Sequence, residues 1–529
     1  MRKGNSIKAL LSGAAAAALI SWASPAAAAD CSALARMALP AGKVTAAEVV
    51  APGAFVQPTA PGAPPPGVGG GAYRDLPEFC RVQATLTPSR DSDIKVEVWL
   101  PTDGWNGKFV GIGNGIWAGQ LSYSQLGDPL KRGYAVATTD TGHTGNGLTA
   151  EWAVGHPEKL VDFGYRAVHE MVVAAKRAIE AYYGSGPQKS YWNSCSTGGR
   201  QGLMEAYRYP ADFDAISAMA PANPMTDLMT QSMWAGWQPH RAPGAMLSMP
   251  KITALHAAVV KQCDKLDGLE DGVIGRPDAC EFDPGVIQCT GADGDQCLTG
   301  TQVETMRAIY DGIPLTAGGT LLPGWPYGSE MQLGVLMGSP QPFPVALTYF
   351  SMLVFGDQPG WDWKTFDYQS DTLLSRDYGA EILNVPSDGL RMYFARGGKL
   401  LLSHGWGDGL IPATNTLAFH SGLLDSLPSA QSSRQLRLFM VPGMDHCGGG
   451  EGPSEFDTLG AIDQWATTGT PPERIVATRP TAVGGAPGAP ARPPRAPMSR
   501  PLCPYPQVAE YTGSGSTAEA ANFRCVTPS

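Results

Sequence analysis

Ser196 stands in the run Ser194-Cys195-Ser196-Thr197-Gly198. A hydroxyl is a poor nucleophile at neutral pH unless a neighbouring base takes its proton. His446, in Gly443-Met-Asp-His446-Cys447, is a candidate base, and Asp408, in His404-Gly-Trp-Gly-Asp408, is a candidate carboxylate to orient that base. In such a set the histidine accepts the hydroxyl proton, and the carboxylate fixes the imidazole tautomer and stabilises the imidazolium. Taken singly, each has a plainer reading: a small-residue turn, a loop histidine with ordinary partners, a turn carboxylate. Taken in order they are hard to dismiss. Cys195 directly precedes the serine and Cys447 directly follows the histidine. If the two side chains converge, so do the cysteines, and a disulfide between them would tether the two loops.

The elements around these residues support convergence. Residues 189–194 read as a short strand and 200–209 as a helix, so Ser196 lies in a strand–turn–helix of the G-x-S-x-G kind. Ser194 holds the first glycine position, where the sharp turn needs a small residue. The Thr197 N–H would then face a developing oxyanion. Residues 94–100 alternate as a strand. Residues 108–112 and 134–139 read as further strands, the first ending at Gly113-Asn114-Gly115 and the second at Asp140-Thr-Gly-His143. Residues 163–183 carry helical periodicity. The segments 399–403 and 435–441 are strands that lead to Asp408 and His446. Alternating strands and helices imply a mostly parallel, doubly wound sheet, whose functional groups gather past the strand ends. The order serine, aspartate, histidine is that of the α/β-hydrolase fold. Residues 221–395, rich in Pro, Trp, Met and Cys, break the rhythm and read as an insertion. The expected organisation is therefore a catalytic domain from 30–220 and 396–529 with a large inserted lid domain over 221–395.

The N-terminus reads as a processing signal. Arg2, Lys3 and Lys8 precede an apolar stretch, and Pro25 precedes four alanines, so residues 1–29 have the form of a cleaved signal peptide. The expected location is secreted or periplasmic. No other apolar run approaches ~20 residues, which excludes a polytopic membrane protein and leaves no membrane anchor after cleavage. The net charge of −10 argues against a general nucleic-acid binder. Ten cysteines, an even number, suit disulfides in an oxidising compartment. Proximity suggests Cys263 with Cys280, Cys289 with Cys297, and Cys503 with Cys525. The stretches 52–72 and 480–500 are Pro/Gly/Ala-rich and read as loops.

A second cluster lies in the insertion. Asp264, Asp267 and Asp271 sit among glycines beside Cys263, and hard oxygen ligands of this kind suit Ca²⁺. On the residues alone, an acidic surface turn explains the run equally well.

Cys195-Ser-Thr-Gly-Gly-Arg-Gln-Gly and Gly443-Met-Asp-His-Cys-Gly-Gly-Gly resemble the tannase and feruloyl esterase family. So do Trp105-Asn-Gly-Lys-Phe, Thr139-Asp-Thr-Gly-His, Gly397-Gly-Lys-Leu-Leu and Pro501-Leu-Cys-Pro-Tyr-Pro, and the resemblance spans essentially the whole mature chain. It implies a triad of Ser196, Asp408 and His446, and an oxyanion hole from Thr197 and a Gly113-Asn114-Gly115 loop donor, taken as Gly115. Relatives often carry another glycine where Ile116 stands. It also implies pairing of Cys31 with Cys80 and of Cys195 with Cys447, beside the three local pairs. A structural calcium ion would be held by Asp264, Asp267 and Asp271 and the carbonyls of Leu269 and Val273. The implied activity is a secreted serine esterase acting through an acyl-enzyme on small-molecule esters of aromatic acids, of feruloyl, hydroxycinnamoyl or galloyl type. The family also contains hydrolases of mono(2-hydroxyethyl) terephthalate, a second substrate reading. Residues 342–357 are expected to wall the acyl pocket, yet carry no arginine to grip a free carboxylate. His143 and His240 are expected near the site, each with a structural role as the plainer reading. A calcium-dependent binding protein without catalysis, and a peptidase, are the alternatives outside this activity.

Overall fold

The computed structural model describes Met1 and residues 30–58, 73–356, 358, 360–479 and 495–528. The signal-peptide reading (residues 2–29), most of the loop at 52–72, the body of the loop at 480–500, and Asp357 at the end of the expected pocket wall lie outside the described residues.

Ten strands make one sheet: β1 (Ala38–Leu39), β2 (Gly42–Val50), β3 (Phe79–Leu86), β4 (Ile94–Pro101), β5 (Lys108–Gly111), β6 (Ala135–Thr139), β7 (Lys189–Cys195), β8 (Ala215–Met219), β9 (Lys399–Gly405) and β10 (Leu436–Val441). Their order is β1-β2-β3-β4-β6-β5-β7-β8-β9-β10. From β6 to β10 every pairing is parallel, whereas β1 to β4 and the β4–β6 contact are antiparallel. The sheet is thus more mixed than the sequence suggests. The connection from Leu86 to Ile94 is too short for a crossover and forces a hairpin. β2 escapes notice because it is half-exposed along its length and shows no sharp alternation. The end of the 480–500 stretch is also more ordered than expected. Ser499–Leu502 forms a strand against Ile475–Thr478, and Arg500 is buried with its guanidinium over the Phe523 ring.

Helix α1 (Ala167–Tyr183) covers the sheet with Val168, Met171, Val172, Ala175 and Ile179, and ends at Gly184 in the left-handed region. Its expected first turn, from Phe163, is instead a wider turn over Asp162–Arg166. Helix α2 (Thr197–Arg208) follows β7 directly.

Residues 220–398 leave the sheet between β8 and β9, which are adjacent parallel partners. The insertion includes α3 (Met225–Trp237), α4 (Met249–Cys263), α5 (Glu330–Met337) and α6 (Ser370–Leu383). One of its apolar clusters packs Met229, Met233, Tyr349 and Phe350 against Trp117 and Phe163 of the sheet domain. The other gathers Leu255, Val259, Met306, Ile309, Trp325 and Leu333. The five disulfides are Cys31–Cys80, Cys195–Cys447, Cys263–Cys280, Cys289–Cys297 and Cys503–Cys525. Among the described residues no helix is long and apolar enough to cross a membrane.

Candidate active site

The register of the parallel strands aligns the ends that carry the chemistry. Cys195 of β7 pairs with Met219 of β8, Met219 pairs with Ser403 of β9, and Gly405 pairs with Val441 of β10. Ser196, Asp408 and His446 lie one to five residues past these positions, so their loops share one edge. Ser196 Oγ is 2.9 Å from His446 Nε2, and His446 Nδ1 is 2.7 Å from Asp408 Oδ2. The other carboxylate oxygen accepts the N–H groups of Leu410 and Ile411, each at 2.9 Å. Asp408 is fully buried, whereas Ser196 and His446 are half-buried. Burial alone would raise the Asp408 carboxyl. The charge of His446 and the hydrogen bonds from His404 and His446 outweigh burial and hold it well below the ordinary carboxylate range. The carboxylate stays ionised, as a partner for an imidazolium must.

Ser196 has φ 64° and ψ −126°, a strained conformation for a residue with a side chain. Its N–H donates to Met219 O at 2.9 Å and its carbonyl accepts from Ala222 N at 3.1 Å, so both flanks of the turn hold it. Gly198 must be a glycine, because a Cβ there would strike the Ser194 side chain. Serine is tolerated at 194 because 198, the second glycine position of the pattern, has no side chain.

The start of α2 also builds the neighbouring loop. Thr197 Oγ1 donates to Ile116 O at 2.6 Å and Gly198 N donates to Asn114 O at 2.8 Å. Gln201 accepts from Asn114 N at 3.0 Å and donates to Asn114 Oδ1 at 3.1 Å. Gly115 is left exposed between two anchored carbonyls. Among the described residues, the N–H groups of Thr197 and Gly115 have no acceptor. Two unspent donors beside a nucleophile are what a developing oxyanion requires. Arg200, fully buried and without a carboxylate partner among the described residues, donates to Gly164 O at 3.0 Å and to Leu383 O of α6 at 3.3 Å. It therefore ties the nucleophile helix to the insertion.

Sequence reasoning missed the second tie. Gln332 of α5 accepts from His446 N at 2.9 Å and from Gly409 N at 3.0 Å. One insertion side chain thus holds the loop of the base and the loop of the carboxylate. Gly409 permits the approach, since a Cβ there would meet the Leu333 backbone. Trp325 Nε1 adds a bond to Gly409 O at 3.1 Å. Nothing in the local sequence around Gln332 marks it. Further out, His256 of α4 bridges Glu330 at 2.6 Å and Glu451, five residues past His446, at 3.0 Å. Burial opposes its charge, but hydrogen bonds and attraction from the two carboxylates outweigh burial and raise the imidazole to about 9.

The expected pocket-wall segment is mostly core. Tyr349 and Phe350 are fully buried, and Tyr349 donates to Ser375 O at 3.1 Å. It still abuts the oxyanion loop, because Trp117 Nε1 donates to Val345 O at 3.1 Å and the Trp117 ring stacks on Tyr349 at 5.9 Å. His143 is buried and stacked on Trp152 at 3.7 Å, and burial lowers its imidazole to about 4, so it is neutral. His240 lies within the insertion, 2.9 Å from Ser339 O and packed edge-on to Trp363.

The acidic loop folds on its own backbone. Asp264 accepts from Gly272 N at 2.8 Å and Val273 N at 3.2 Å, Asp267 accepts from Leu269 N at 3.0 Å, and Asp271 is paired with Arg500. Among the described residues no N–H donates to the carbonyl of Leu269 or Val273. The donors are all oxygens, as a hard cation prefers, although the three carboxylates do not bring one oxygen each within 4.8 Å of one another.

Residues 80–526 match the family described as tannase and feruloyl esterase. An uncharacterised esterase of Xanthomonas campestris pv. campestris is 34% identical over 97% of this chain and 93% of its own. A probable feruloyl esterase B-2 of Aspergillus terreus is 31% identical over 85% of this chain and 86% of its own. The crystal structure of feruloyl esterase B from Aspergillus oryzae superposes with a TM-score of 0.82 at 28% identity, covering 94% of this chain and 99% of that one. With its α/β-hydrolase sheet and this breadth of likeness, the chain belongs to the tannase and feruloyl esterase family and is a carboxylic ester hydrolase.

Proposed function

We propose that the protein is an exported serine esterase that cleaves esters of aromatic acids, of feruloyl, hydroxycinnamoyl or galloyl type, through an acyl-enzyme. The observation that carries the reading is the chain of contacts from Ser196 through His446 to Asp408 beside the unspent N–H groups of Thr197 and Gly115. Ser196 Oγ attacks the ester carbonyl carbon while its proton passes to His446 Nε2. The carbonyl oxygen takes up the negative charge between the two N–H groups. His446 then returns the proton to the departing alkoxide, which leaves as the alcohol. Water, deprotonated by the same nitrogen, adds to the acyl-enzyme, and collapse releases the acid and restores Ser196. Losing one oxyanion donor typically costs about 10²–10³ in turnover.

An aromatic acyl group is supported by relatives named feruloyl esterase. The insertion 221–395 acts as the lid. Export is supported by the N-terminal pattern of residues 1–29 and by five disulfides. Asp264, Asp267 and Asp271 with the Leu269 and Val273 carbonyls would hold a structural Ca²⁺. Bound there, such an ion would supply the positive charge that lets three carboxylates share one loop. The residues themselves join that loop to the base loop, since Arg495 bonds both Gly272 O at 3.0 Å and Glu451 at 2.7 Å.

The test is a panel of methyl ferulate, methyl gallate, mono(2-hydroxyethyl) terephthalate and a short aliphatic ester, with Ser196→Ala as control. Turnover of an aromatic ester, lost in the variant, is expected. Preference for the aliphatic ester would remove the aromatic assignment, and undiminished activity in Ser196→Ala would remove the serine mechanism. For the metal, chelation should lower the melting temperature and added Ca²⁺ restore it; a melting curve indifferent to both would remove the calcium assignment.

A further inference from the structure

The acid of the triad carries a second imidazole that the mechanism above does not use. His404 lies near the end of β9, four residues before Asp408, with no exposed surface. Its Nε2 is 3.1 Å from Asp408 Oδ2, the same oxygen that faces His446, and 3.1 Å from Ile411 O. A carboxylate oxygen and a carbonyl oxygen can only accept, so Nε2 carries the proton. Its Nδ1 is 2.7 Å from the Thr416 hydroxyl, on the buried face of the helix Ala413–Ser426. The Thr416 hydroxyl can donate to Nδ1 or accept from it, and in either role it holds the ring in place.

We infer that His404 is a positioning residue for ester hydrolysis: a buried imidazole, its ring held by Thr416, that fixes the Asp408 carboxylate from the core side while His446 engages it at the site. The assignment rests on the serine-esterase reading. Two observations give it content beyond packing. First, His404 bonds to the loop at both Asp408 and Ile411, so it holds the carboxylate and the backbone that follows it in one geometry. Second, Oδ2 divides its hydrogen-bonding capacity between two imidazoles. The donation from His404 draws charge from the oxygen that would otherwise stabilise a His446 imidazolium more strongly. His404 therefore moderates the base as well as placing it. Asp408 is the titratable group His404 touches, and His446 is the next along the same oxygen.

The experiment uses the full oxidised chain with methyl ferulate, and 4-nitrophenyl acetate as a second ester. His404→Leu keeps the volume and removes both bonds. It is expected to lower kcat roughly 10–100-fold, the scale of a small misplacement at a reacting group, with KM within about two-fold of wild type. The acid limb of its pH–rate profile should move to higher pH, because Asp408 then favours the His446 imidazolium more. His404→Gln, which can place an N–H near the Nε2 position, should recover part of kcat and return the limb. Thr416→Val should lower kcat a few-fold in the same direction, and with His404→Gln it carries the test if His404→Leu does not fold. Loss of turnover in Ser196→Ala together with an unchanged kcat and pH profile in the His404 variants would overturn the inference alone. A fall in kcat with an unmoved acid limb and no recovery in His404→Gln would mark a merely structural residue and also overturn it. Full turnover in Ser196→Ala, or none in the wild type, would overturn the serine-esterase reading and the inference with it.

Discussion

The loops that carry Ser196 and His446 and the insertion that packs over them are held in different ways. The loops emerge from strands that are neighbours or near neighbours in one sheet, and the Cys195–Cys447 bond closes 252 residues of chain between them. Around them most polar groups are already spent: the Ser196 turn, both Asp408 oxygens and the Asn114 loop all have partners. Beyond its apolar contacts, the insertion reaches the triad through single side chains, Gln332, Trp325 and, further out, His256. The reacting groups are therefore fixed covalently and by the sheet, whereas their fine alignment depends on bonds that one substitution removes. With Ser196 as the proposed nucleophile, the over-determined region would carry the chemistry and the lightly tied one would tune it.

That contrast can be broken most severely at the nucleophile. Ser196→Ala should reduce kcat about 10⁵-fold or more with the melting temperature little changed, as steady-state kinetics and thermal unfolding would show. Replacing Cys195 and Cys447 together by serine should take a few kcal/mol from the unfolding free energy, up to about 5 kcal/mol in the chain-entropy account, read by denaturant titration. A loss no larger than that for the short Cys289–Cys297 loop would show that the long tether adds nothing beyond a local one. The His256 bridge gives a pH test. Its imidazole is raised in the folded chain to about 9. The stability it contributes is fully present below the unfolded value of about 6.5 and is lost as pH rises through 9, about 3 kcal/mol at most. Thermal melts of wild type and His256→Gln should differ most below about pH 6.5 and converge above about pH 9; parallel curves would show that the bridge adds nothing. Smallest is Gln332→Leu. It strands the N–H groups of His446 and Gly409 and should lower kcat about ten-fold with little change in KM. An effect on melting alone would place Gln332 in the packing and remove it from the alignment of the triad.

Much of this arrangement is legible along the chain, for a local reason. An elbow serine is written in five consecutive residues, and the strands before Asp408 and His446 announce themselves by short apolar runs. The placement of Cys195 and Cys447 beside two reacting residues carries long-range information in a local form. His404 stands in the same run as Asp408, but a spacing of four marks a contact only on a helix, and here the chain passes from a strand into a turn. Arg200 and Gln201 stand in the motif that follows Ser196, but their partners, Gly164 and Leu383 for one and Asn114 for the other, come from distant segments. Gln332 and His256 have no local mark at all. The antiparallel front of the sheet was missed because β2 is a half-exposed edge region whose residues alternate weakly.

The sequence by itself determined the chemistry on offer. It specified a hydroxyl on a tight turn, a base and an acid past strand ends, ten cysteines that can pair completely, and an oxygen-rich loop. These are properties of residue type and short spacing, which the chain carries wherever it folds. The tertiary structure decided which groups were left unspent and which were held. Parallel register brought three strand ends to one edge. The start of the nucleophile helix consumed the carbonyls around Gly115 and left its N–H free, and the insertion lent Gln332 to two loops at once. A hydrogen bond between residues more than a hundred positions apart leaves no periodicity to read, because its geometry exists only after the sheet has formed.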